Sequence, residues 1–106
     1  MTIRFSDGET AVQLGDRVSL RVLLRKRLGR VVYVPGISEF NREFEYNGMK
    51  WVGIRLTDRS LVATPVLLKS GTLKKKIRFL TRDGSPCELI TGSSREFEEF
   101  GEGPSV

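Results

Sequence analysis

The chain predicts an all-β fold, a small barrel of five to six strands, and three observations carry that prediction. Short runs of apolar or alternating residues are punctuated by turn dipeptides, Asp7-Gly8, Gly15-Asp16, Pro35-Gly36 and Asn47-Gly48 among them. No helical period of any length precedes residue 93. An open sheet of this content leaves two exposed edges, which closure into a barrel removes.

Taken in order, Ile3 to Phe5 reads as a short edge strand and Val12 to Leu14 as a lead into Gly15-Asp16. From Arg17 to Leu24 the alternation is clean, with Val18, Leu20, Val22 and Leu24 on one face and Arg17, Ser19, Arg21 and Leu23 on the other. The basic run Arg25-Lys26-Arg27 then reads as a loop. Arg30 to Pro35 is nearly all apolar, the pattern of a strand covered on both faces. Residues 37–48 form a polar connector holding Phe40, Phe44 and Tyr46, and Asn47-Gly48 turns the chain into a strand from Met49 to Thr57 that contains Trp51, the only tryptophan.

After a turn at residues 57–60, Leu61 to Leu68 reads as a strand interrupted by Pro65. In Thr72 to Thr81, Leu73, Lys75, Ile77 and Phe79 share one face, while Lys74, Lys76 and Arg78 form a row of positive charge on the other. Cys87 to Ile90 is a last short strand. The barrel domain is expected over residues 1–92 and an acidic C-terminal tail over 93–106. There Ser93 and Glu96 fit a capping box for a short helix, while the Gly-Glu-Gly-Pro ending fits an unstructured terminus as well.

At 106 residues the chain holds one modest core. Its apolar runs fall far short of the roughly 20 residues of a membrane helix, and no secretory signal pattern opens it, so a cytoplasmic location and no membrane partner are expected. One cysteine, Cys87, and no histidine exclude an internal disulfide, histidine triads and dyads, and the usual Cys/His zinc sites. Phosphate-loop and dinucleotide fingerprints are absent too, so no enzyme and no cofactor are expected. The net charge of +5 divides into +10 over residues 1–82 and −5 over 83–106. A basic body of that kind favours acidic partners.

Gly15-Asp16-Arg17-Val18, the stretch from Gly29 to Gly36 and that from Trp51 to Leu56 resemble the first half of a CAP-Gly domain, an SH3-like barrel that binds acidic-aromatic C-terminal peptides. The Gly-x-Val-x-x-Val turn is similar to that of KOW barrels as well. The Gly-Lys-Asn-Asp-Gly signature of CAP-Gly domains has Thr57-Asp58-Arg59-Ser60-Leu61 in its place. A non-enzymatic SH3-like module for an acidic protein segment is the reading that follows, with nucleic acid as the alternative ligand. Tyr33, Phe40, Phe44, Tyr46 and Trp51 are the aromatic candidates, and Arg25, Lys26, Arg27, Lys74, Lys76 and Arg78 the basic ones. A more remote resemblance, to PilZ cyclic-dinucleotide barrels, rests on Arg21 with Arg25 and on residues 58–63. In the tail, Glu98, Glu99 and Phe100 look like a CAP-Gly ligand and suggest self-association.

Overall fold

The computed structural model describes residues 2–82 together with Gly84 and Leu89. Its six strands are β1 (Arg17–Val22), β2 (Arg25–Tyr33), β3 (Glu45–Tyr46), β4 (Met49–Leu56), β5 (Leu61–Pro65) and β6 (Ile77–Thr81). All pair antiparallel in the order β3-β4-β2-β1-β6, with β5 on β4, and the sheet curls into a half-barrel. The all-β expectation holds.

The concave face is lined by Val18 and Leu20 from β1, Val31 from β2, Val52, Ile54 and Leu56 from β4, and Ile77 from β6. Among the described residues β5 and β6 do not pair with each other, so strands alone do not seal the barrel. Instead Ile3, Phe5 and Val12 from the N-terminal segment and Val66 and Leu73 from the β5–β6 connection pack into the opening. Arg4 ties these pieces together. Its N–H donates to Gly71 O (3.1 Å), its carbonyl accepts from Leu73 N (2.9 Å), and it bridges Ala11 on the other side. The expected edge strand at Ile3 to Phe5 is thus reduced to isolated bridges.

A second, smaller core forms on the convex face. Between Val31 and Tyr33 the β2–β4 register shifts by a bulge, which turns Tyr33 away from the main core. Tyr33 stacks on Phe44 (centroids 4.5 Å apart, planes at 17°), and Val32, Trp51 and Leu61 complete the cluster. The Phe44 ring lies flat across Gly53, where a Cβ would meet Phe44 Cε1 at 2.9 Å and Tyr33 Cβ at 3.1 Å. The polar connector therefore folds back onto the sheet through one aromatic plug.

Three further expected elements differ from the structure. β1 ends at Val22 because Leu23-Leu24 makes a two-residue turn, so Arg25-Lys26-Arg27 belongs to β2 and pairs with β1. Backbone pairing is indifferent to charge on side chains that remain in water. β5 stops at Pro65, which has no N–H to donate onward. Lys74 to Lys76 form a turn, closed by Ile77 N–H to Lys74 O (3.0 Å), and β6 begins only at Ile77. A continuous strand would aim Lys75 into the core without a partner, and the turn sends it to solvent. The expected strand at Cys87 to Ile90, the helix and the acidic tail lie outside the described residues, apart from Leu89, which is not in a strand. Among the described residues no helix is long and apolar enough to cross a membrane.

The end of the β1–β6 pair is fastened by Asp16, which is fully buried and accepts from Arg82 Nε (2.7 Å), Arg82 Nη2 (2.9 Å) and Gln13 N (3.0 Å). Arg82 Nη2 also donates to Ala11 O (2.7 Å). Replacing Asp16 by Asn strands a guanidinium and is expected to cost about 3 kcal/mol, the lower end for a broken buried pair because Arg82 is partly solvated. Gly53→Ala forces Phe44 off the sheet and is expected to cost about 1–3 kcal/mol, with partial rescue by Phe44→Leu. Both are measured by urea denaturation.

Candidate anion-binding groove

Along β1 and β6 runs a groove of about 980 Å³. Its position follows from the register. Arg21 stands directly opposite Lys26 of β2, Ser19 directly opposite Arg78 of β6, and Arg21 N–H donates to Lys76 O (3.1 Å). These side chains share the face that alternation assigns to Arg17, Ser19 and Arg21. Lys75, from the turn that precedes β6, joins them. Five cations thus border one depression, and two of them are opposed across a strand pair, which is destabilising in itself.

Its apolar side is the half-buried Phe79, backed by the core residues Phe5 and Ile77. Phe79 is fixed on both sides, by Phe5 (centroids 5.4 Å apart) and by the Arg82 guanidinium 5.2 Å from its ring centre. One carboxylate, Asp7, stands at the rim, and it is committed to its own turn. It accepts from Glu9 N (2.8 Å), Thr10 N (2.9 Å) and Thr10 Oγ1 (2.7 Å), and these bonds, the Thr10 hydroxyl first, hold its pKa below the usual carboxylate value. Among the described residues none of the five cations has an ion-pair partner. The groove has the charge and the apolar floor to hold an anion with an apolar body.

No family model, curated protein or solved structure matches the chain. The geometry therefore stands alone. Of the basic residues singled out in the sequence, Lys26, Lys76 and Arg78 meet in the groove, while Lys74 is exposed beside it. Arg25 is paired with Val22 and projects from the opposite face of the hairpin to Arg21, so the two arginines do not form one clamp. Arg27 is ion-paired with Asp58, whose carboxylate also caps Ser60 N (2.9 Å); hydrogen bonds to Ser60, then Arg27, hold Asp58 below its ordinary pKa.

The aromatic candidates divide. Tyr33 and Phe44, 0% and 1% exposed, are core residues and not a ligand surface. Trp51 is half-buried against the same cluster, with its Nε1 unpartnered among the described residues. Phe40 and Tyr46 are exposed. Tyr46 and Trp51 sit on β3 and β4, toward the far end of the strand order from β1 and β6. The sequence reading missed Lys75 and Phe79 as groove residues and Arg21 as the partner of Lys26. The Leu23-Leu24 turn alone would have revealed that last pairing, since turn length sets register.

Tyr33 is held by its hydroxyl, which donates to the Glu45 carboxylate and accepts from Asn41 N (3.0 Å). Burial first, then the bond to Glu45, raises its pKa well above the phenol range. A folded-state pKa raised above the unfolded value of about 10 gives stability that is full below pH 10 and lost as pH rises through the folded value. Alkaline unfolding monitored by circular dichroism is expected to coincide with ionisation of Tyr33, and Tyr33→Phe is expected to remove that limb while lowering stability at neutral pH.

Proposed function

We propose that the chain is a non-catalytic binding module that holds an acidic segment of a partner protein in the groove along β1 and β6. The observation that carries this reading is the set of five cations without an ion-pair partner among the described residues, Arg21, Lys26, Lys75, Lys76 and Arg78, beside the half-buried Phe79. Mutual repulsion of these groups weakens the fold unless a ligand neutralises them. A polypeptide with carboxylates flanking an apolar residue matches both parts, the carboxylates at the rim and the apolar side chain on Phe79. That is the ligand class the CAP-Gly resemblance implies. The chain's own Glu98-Glu99-Phe100 has the same composition and would compete for the groove, in one molecule or between two.

A phosphate backbone is the second reading, favoured by the row Lys26, Arg21 and Lys76 across β2, β1 and the turn that precedes β6. Acidic protein is preferred because Phe40, Tyr46 and Trp51, the side chains available for stacking bases, are not among the groove residues. A cytoplasmic location suits a module with a lone cysteine.

The test is fluorescence anisotropy with a labelled Glu-rich peptide carrying a central Phe, beside single-stranded and double-stranded oligonucleotides. Lys76→Glu with Arg78→Glu is expected to weaken peptide binding by about tenfold or more and to flatten its salt dependence. Lys76→Gln with Arg78→Gln should weaken binding while leaving stability unchanged or slightly raised. Tighter binding of the oligonucleotides than of the peptide would transfer the groove to nucleic acid; binding of neither would remove the reading.

A further inference from the structure

The tip of the β1–β2 hairpin carries an observation independent of the groove floor. Leu23 and Leu24, 90% and 100% exposed, are the two residues of the turn, and Val22 beside them is also exposed. Leu23 adopts φ +58°, the left-handed region that is uncommon for an L-residue with a branched side chain. A two-residue hairpin turn with positive φ at its first residue alone favours glycine there, as in Gly-Asn. At its other tight hairpin both turn residues have positive φ, +53° and +76°, and there the molecule uses the well-suited Asn47 and Gly48. At the β1–β2 tip, where positive φ falls on the first turn residue alone, the turn is occupied by two leucines whose apolar area gains nothing from the described residues of the folded chain. Apolar area of this kind, at a convex apex, is suited to burial in something else.

The surroundings say what. From Arg17 to Arg30 the hairpin carries six arginines and lysines and no carboxylate. Arg21, Arg25 and Lys26 lie one or two positions behind the leucines, roughly 3–7 Å from the apex along the strands. An apolar tip with cations one short step behind it is the vertical order of an anionic bilayer, whose acyl boundary lies several ångströms below its phosphates. The same cations repel a second copy of the tip. We infer that the β1–β2 hairpin is a peripheral membrane contact, in which Leu23 and Leu24 enter the acyl boundary of an anionic lipid surface while Arg21, Arg25 and Lys26 engage its phosphates. No spanning segment is needed. A membrane partner departs from what the sequence alone led us to expect, because the leucines stand in an apolar-polar alternation that reads as strand until the turn is located.

The test is co-sedimentation of the full chain with unilamellar vesicles of phosphatidylcholine alone and of phosphatidylcholine with phosphatidylserine. The wild type is expected to sediment with the serine-containing vesicles and to be released by salt. The double variant L23G/L24N places glycine at the one turn position with positive φ, so its melting temperature should be unchanged or higher. Its vesicle partitioning should nevertheless fall by about tenfold or more, since the inserting area is gone. Binding of the Glu-rich peptide in the groove should be retained by this variant, which separates the two sites. Loss of vesicle binding in a stably folded L23G/L24N supports the insertion whether or not the peptide binds. Equal partitioning of wild type and variant overturns it, as does a wild type that fails to sediment with either vesicle.

Discussion

The buried carboxylate of Asp16 is the constraint on which the basic side of the molecule depends. It directly precedes β1, and its partner Arg82 directly follows β6, so the bidentate pair clamps the two strands at the end where their register is bulged between Arg17 and Val18. A carboxylate with no solvent exposure must be matched by charge and hydrogen bonds, and Arg82 and Gln13 N–H supply them. The same guanidinium covers Phe79, which packs on Phe5. One ion pair therefore fixes the strand that carries Arg78, the ring that forms the groove floor and the N-terminal segment that closes the core.

The two sides of the sheet divide the work. Around Gly53 the aromatic residues are spent on structure: the bulge in β2 turns Tyr33 outward, Phe44 caps it, and the connector is tied down through Asn41 and Glu45. Along β1 and β6 the situation is the reverse. There the cations are unpaired by any described residue, and their packing costs stability that a ligand would return. Local destabilisation of this kind supports the binding role proposed for the groove, whereas Arg27, satisfied by Asp58, holds a turn.

The hairpin of β1 and β2 links the two proposed surfaces. Its inner residues Val18, Leu20 and Val31 are core, its outer residues Arg21 and Lys26 border the groove, and its apex is apolar. Since Arg21 and Lys26 are shared, lipid phosphates and an acidic peptide would meet the same two charges from opposite ends. A partner held in the groove near a membrane would be oriented by that hairpin.

Local chemistry determined much of this protein. Alternation in Arg17 to Val22, the apolar run Val31 to Val34, the Asn47-Gly48 turn and the absence of any helical period require only neighbouring residues, so the all-β class and most strands were legible in the sequence. The sidedness of individual residues was not. Strict alternation puts Tyr33 on the face of Val31, and a one-residue bulge reverses it, turning a proposed binding aromatic into core. Lys75 falls on the core face by counting, yet a turn carries it to the groove because an unpaired ammonium cannot be buried. Arg21 became the neighbour of Lys26 only when Leu23-Leu24, a pair with no turn-forming composition, closed the hairpin. Strand identity is written in nearby residues, whereas register, bulges and the meeting of distant charges are set by what the whole chain can pack, and those decided the site.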